Sequence, residues 1–258
     1  MRMYRIFIIA AAMTVISLPM AAQSEAGLIA GAEAEKKISK DLSIGFEADL
    51  RTRNNFKTMD RWSIGISGSY KLTKWLKADA GYKLLDYNNR EKIVNYTSSK
   101  GNDKIKWRPG YWSMKHRIYA GLTGSYKFQN GLKLSLRERW QYDYRPESTP
   151  ERYKLKLSDQ TMTLDEGYVR EGKGENQLRS RFQIEYDKKH ALLSPYASME
   201  LYNSWGIEKV RYTIGTGIRL SKQHSLDVFY RYQDIRNLDD DDYDPDMHYI
   251  GLGYKFKF

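Results

Sequence analysis

Beyond the N-terminal apolar run, alternation of apolar and polar residues with a period of two dominates the chain. In Leu42–Leu50 the apolar positions are Leu42, Ile44, Phe46, Ala48 and Leu50, with Ser43, Gly45, Glu47 and Asp49 between them. Leu132–Tyr144 sets Leu132, Leu134, Leu136, Trp140, Tyr142 and Tyr144 against Lys133, Ser135, Arg137, Arg139, Gln141 and Asp143. Successive side chains of a strand point to opposite faces, so each segment predicts a strand with one apolar and one polar face. Eleven such segments occur: 26–38, 42–54, 60–72, 75–88, 110–128, 132–144, 177–186, 191–203, 208–220, 225–236 and 247–258.

The connections between them differ in length. Residues 39–41, 73–74, 129–131, 187–190 and 221–224 make short turns, and Asn130-Gly131 is a strong hairpin signal. Residues 55–59, 89–109, 145–176, 204–207 and 237–246 form the other set, mostly longer. Transmembrane barrels have this asymmetry, with short periplasmic turns and longer outer loops. Trp62 and Tyr70 bracket Ile64, Ile66 and Gly68 on one face, as girdle aromatics bracket an apolar band. The expected fold is all-β: one antiparallel transmembrane β-barrel of 10–12 strands. Bacterial barrels have even counts, so ten or twelve is favoured and the odd segment is 26–38.

Composition fits. Mean hydropathy is −0.72, yet 14% of the residues are aromatic. A two-faced strand explains both values. The Ile6–Leu18 apolar run follows Arg2 and Arg5 and precedes Pro19, Ala21 and Ala22. That order predicts a cleaved signal peptide over 1–22 and a barrel over 23–258. The 258 residues include no Cys, which excludes disulfides and thiolate chemistry. The net charge of +11 raises nucleic acid as a partner, but export and the dispersal of the charge argue against it. Outer-membrane lipid and the barrel assembly machinery are the expected partners, and the oligomeric state stays open.

The last strand ends Tyr254-Lys255-Phe256-Lys257-Phe258. Tyr254, Phe256 and Phe258 resemble the C-terminal assembly signal of bacterial outer-membrane proteins. The chain as a whole resembles a Bacteroidetes-type family of outer-membrane barrels known as "domain of unknown function 2490". The resemblance rests on Glu35-Lys36-Lys37-Ile38-Ser39-Lys40, Arg51-Thr52-Arg53, Lys115-His116-Arg117-Ile118-Tyr119 and Arg137-Glu138-Arg139-Trp140. It implies a bacterial outer-membrane location and supplies no activity.

If the apolar face meets lipid, the lumen receives a charge ladder. It includes Arg117, Arg137, Arg139, Arg179, Arg181, Arg211, Arg219 and Arg231, with Glu47, Asp49 and Glu185 among the acids. Pairing Leu132 with Tyr186 would put Lys133 opposite Glu185, Arg137 opposite Arg181 and Arg139 opposite Arg179. Like charges directly opposite are destabilising, so these positions need acids from across the lumen, water or an anion. Two readings of the lumen stand: a narrow barrel filled by ion pairs, or a pore passing small polar or anionic solutes. Glu138 has lipid-facing parity, which a β-bulge would relieve.

No catalytic or cofactor motif is present and no metal site is expected. His190 and His224 fall in turns, where water solvates them. Asp242, Asp244, Asp246 and His248 form a speculative rim site. An Asp–His pair there would activate water, giving a membrane-embedded hydrolase as the alternative function. A structural or surface role, with loop 145–176 binding a partner, is the remaining reading.

Overall fold

The computed structural model describes residues 24–97, 103–156, 161–188, 191–236 and 244–258. The expected signal peptide, His190 and Asp242 lie outside these residues.

Fifteen strands are described. Eleven form the wall: β1 (Ser24–Lys37), β2 (Leu42–Arg53), β3 (Thr58–Lys71), β4 (Leu76–Asn89), β7 (Tyr111–Lys127), β8 (Leu132–Arg145), β11 (Lys173–Tyr186), β12 (Leu193–Asn203), β13 (Ile207–Arg219), β14 (His224–Ile235) and β15 (Asp246–Lys257). They close into a barrel in the order β1-β15-β14-β13-β12-β11-β8-β7-β4-β3-β2. The wall is antiparallel except at one seam, where β1 runs parallel to β15 from Ser24↔Asp246 to Glu35↔Lys257. This corrects the expected even count. An odd number of up-and-down strands must bring first and last strands together in the same direction, and here they pair so.

The seam is fastened at both ends. Glu25 accepts a two-pronged bond from Arg90 at 2.8 Å for each prong. At the other end Lys255 reaches Glu33 and Glu35, each at 2.7 Å. Parallel pairing is slightly weaker than antiparallel, so these clamps sit where the ladder needs support.

Three short turns use one device. Ile38-Ser39-Lys40-Asp41-Leu42, Leu72-Thr73-Lys74-Trp75-Leu76 and Leu220-Ser221-Lys222-Gln223-His224 each put a hydroxyl at the second position. Ser39, Thr73 and Ser221 accept bonds from the amides of Leu42, Leu76 and His224 at 3.0–3.1 Å. The side chain thereby mimics a backbone turn. In the Asn130-Gly131 turn, Gly131 has φ +93, a conformation open to glycine at no steric penalty.

The long-loop end carries order that periodicity did not reveal. β5 (Lys92–Thr97), β6 (Asp103–Arg108), β9 (Tyr153–Lys156) and β10 (Met162–Leu164) form a separate sheet in the order β10-β9-β6-β5. Two loops thus fold into one unit through the β6–β9 pairing. Trp107 stacks on Tyr153 at 5.3 Å. Asp165 is held by Lys154 at 2.5 Å and by Arg152.

The outward face is apolar. Phe46, Ile64, Ile118, Leu136, Ile214 and Ile250 are 50–54% exposed. A continuous apolar belt on this scale marks a membrane or protein contact rather than a surface in water. Tyr70, Trp75, Tyr126, Phe128, Tyr186 and Phe258 are exposed aromatics toward the short-turn end.

Candidate functional site in the barrel lumen

Strand parity turns the charge ladder inward. The β8–β11 register pairs Tyr186 with Leu132, Arg181 with Arg137 and Arg179 with Arg139. Lys133 meets Glu185 at 3.1 Å near the short-turn rim. The like-charged rungs are separated by carboxylates that reach over an intervening strand. Glu200 of β12 extends past β11 to Arg137 at 2.5 Å and also takes Arg179 at 3.0 Å. Arg211 stands 3.9 Å from the same carboxylate, and the Tyr202 hydroxyl donates to it at 2.9 Å. Asp79 of β4 reaches over β7 to Arg139 at 2.6 Å.

The arc beyond β7 repeats the arrangement. Arg51 is in register with Arg61. Asp49 serves both, at 3.5 and 3.7 Å, and receives Lys83 at 3.0 Å and the Ser63 hydroxyl at 2.5 Å. Glu47 shares Lys83 at 3.1 Å. Arg117 makes a bidentate pair with Asp143, both contacts 2.6 Å. Such fork-to-carboxylate pairs are the strong, geometrically specific kind.

Aromatic rings organise the guanidiniums. The Phe229 ring lies against the wall over Gly251, where a Cβ would overlap it. Arg231 sits over the same ring at 4.7 Å and donates to Thr213 at 3.1 Å. Tyr119 lies over Gly81 and carries Arg139 at 4.2 Å. Tyr202 has Arg179 at 4.5 Å and Arg211 at 4.4 Å. Each ring gives its cation an attractive face without a second carboxylate. These inward aromatics escaped the parity argument. Their signal was glycine at the cross-strand positions Gly81 and Gly251, which leaves room for a ring.

Mid-lumen polar groups are tightly enclosed: Glu200 is 7% exposed, Arg211 8% and Gln141 2%. Leu85 is fully buried at 0%. Arg219 stands apart, exposed at the short-turn rim and 3.7 Å from Asp187. Among the described residues, Arg181 and Arg231 have no carboxylate within ion-pair distance.

Glu138, Asp246, His248, Tyr254 and Phe256 have outward strand parity. Glu138 keeps its outward parity, because the ladder runs unbroken through it. No bulge turns it in; Ser180 donates to it at 2.6 Å. His248 bonds the Tyr230 hydroxyl through Nδ1 at 2.6 Å. Asp246 accepts from the Tyr232 hydroxyl at 2.6 Å and the Ile235 amide at 2.9 Å. Asp244 pairs with Arg90 at 3.6 Å. His224 opens β14 rather than lying in the turn; it bonds Tyr254 at 2.6 Å and stacks on Phe256 at 5.0 Å. His116 bonds Tyr82 at 2.7 Å, making a third outward Tyr–His pair. Phe256 and Phe258 stack at 5.2 Å. Among the described residues no cluster of His, Asp or Glu is arranged to hold a metal.

The family model described as "Protein of unknown function (DUF2490)" matches residues 30–244. The chain belongs to that family. The match runs from β1 to two residues before β15 and includes Arg137, Arg179, Arg181 and Glu200. No curated protein matches significantly. Among solved structures, the chain is similar to the β-domain of the Bordetella autotransporter BrkA, at 11% identity and TM-score 0.48, covering 85% of this chain and 83% of that one. It is also similar to the monoaromatic hydrocarbon channel CymD, at 9% identity and TM-score 0.40, with 83% of each chain covered.

Proposed function

We propose that this member of the family is an integral, non-enzymatic barrel of the bacterial outer membrane, held closed by its own lumen charges and serving a structural or surface role. The exposed apolar belt supports the membrane assignment, since it would not be stable in water. The single observation that carries the closed state is Glu200. Buried inside the bore, it ties Arg137, Arg179 and Arg211 from three strands into one network. Buried charges held this way resist separation, because breaking one pair leaves an uncompensated charge.

The short turns then face the periplasm and the β5-β6-β9-β10 sheet faces outward, which makes it the surface for contact with other molecules. Slow passage of small anions is the second reading, favoured by the unpaired Arg181 and Arg231.

Two measurements test the proposal. The chain should fractionate with outer membranes and migrate as a heat-modifiable band. Release from the envelope without detergent would contradict the location. Proteoliposomes containing the refolded chain should not swell in small neutral sugars, whereas rapid swelling would contradict the closed lumen.

A further inference from the structure

We infer that the lumen binds one small oxyanion of the phosphate or sulfate class between Arg137 and Arg181. The register places these two residues directly opposite each other on β8 and β11. Arg181 is also directly opposite Glu200 on β12. Yet Glu200 has no acceptor left for it. One carboxylate oxygen takes Arg137 and Arg179; the other takes Arg179 and the Tyr202 hydroxyl. The other acids of this wall are engaged elsewhere: Asp79 by Arg139, Asp143 by Arg117 and Glu185 by Lys133.

Arg181 therefore holds a planar fork of five donors beside a saturated carboxylate. It makes no ion pair or side-chain hydrogen bond with a described residue. Its neighbours are also short of acceptors: the Nε–H groups of Arg137, Arg139 and Arg179 are buried without partners. Unmet buried donors are costly, and each needs an explanation. Water would satisfy the donors and leave the charge. An oxyanion satisfies both, and guanidinium forks match its geometry. The position inside the bore selects a free, water-borne anion over a lipid headgroup. This inference rests on the barrel reading and extends it to a ligand class.

The test is calorimetric titration of inorganic phosphate into the full chain refolded in detergent, at constant ionic strength in chloride. Saturable one-site binding is expected. Arg181→Gln should weaken it at least tenfold and Arg181→Lys by a smaller factor. Lys222→Gln, in an exposed turn, should leave it unchanged. Absence of saturable binding would overturn the inference. Equal losses in Arg181→Gln and Lys222→Gln would also overturn it, marking a general charge effect. If Arg181→Gln fails to give a heat-modifiable band, Arg181→Lys decides, and unchanged affinity there rejects the site. Sugar permeability is read separately, so an open lumen and an absent anion site give different results.

Discussion

The two sides of the lumen are held by different forces. Along the seam, β1, β14 and β15 turn Ile29, Met247, Tyr249 and Phe229 inward as an apolar cluster. On the adjoining arc, β8, β11, β12 and β13 turn in arginines that gather around Glu200. The seam side tolerates a parallel ladder because packing and the end clamps add what the hydrogen bonds lack. The arginine side has ordinary antiparallel pairing but concentrates repulsion, so its stability hangs on few acids. The lesson is that neighbouring arcs of one barrel can rest on apolar burial in one and on charge balance in the other.

Breaking the charged side should have the largest effect. Glu200→Ala leaves three guanidiniums without their shared acid. A loss of about 3–5 kcal/mol is expected from removing one partner of a buried pair. Urea unfolding in detergent, followed by tryptophan fluorescence, measures it. A loss below about 1 kcal/mol would show that the network is not a brace.

On the seam side, Gly251→Ala forces the Phe229 ring off the wall and with it Arg231. Overpacking of this kind costs about 1–3 kcal/mol. The same unfolding assay should rank it below Glu200→Ala; the reverse order would mean that packing dominates both sides. Lys255→Ala, at the half-exposed seam clamp, is expected to cost no more than about 1 kcal/mol. Its unfolding midpoint should move least of the three.

The outer sheet offers a pH-dependent contrast with the wall. Hydrogen bonds from Lys154 and then Arg152 hold the Asp165 carboxyl below the ordinary carboxylate range. Its contribution is therefore complete above the ordinary Asp value and disappears as pH falls through the lowered one. Hydrogen exchange should show β9 and β10 losing protection only as pH falls below the ordinary Asp value, while the wall keeps its protection. Asp165→Asn should abolish that pH dependence. Simultaneous loss in wall and sheet would show that they are not independent.

Much of this fold was legible in the chain. Alternation marked eleven segments that coincide with the wall strands, because a two-faced strand is written directly in its residues, although the even-count rule had set 26–38 apart. The Leu132–Tyr186 pairing followed from matching Lys133 with Glu185, and the observed register agrees. The parallel seam was not legible, since alternation carries no direction and the even-count rule pointed elsewhere. The outer strands β5, β6, β9 and β10 escaped because strands of 3 to 6 residues show too little periodicity. Parity put Arg181 in the lumen but could not say which arginines would claim a given acid. That depends on reach across a strand, which only three-dimensional positions supply.

The central claim is that the lumen charges close the bore. Single-channel recording of the refolded wild-type chain in planar bilayers tests it most directly. The account predicts insertion without stepwise conductance. Stable, reproducible conductance steps from the wild-type chain would contradict it.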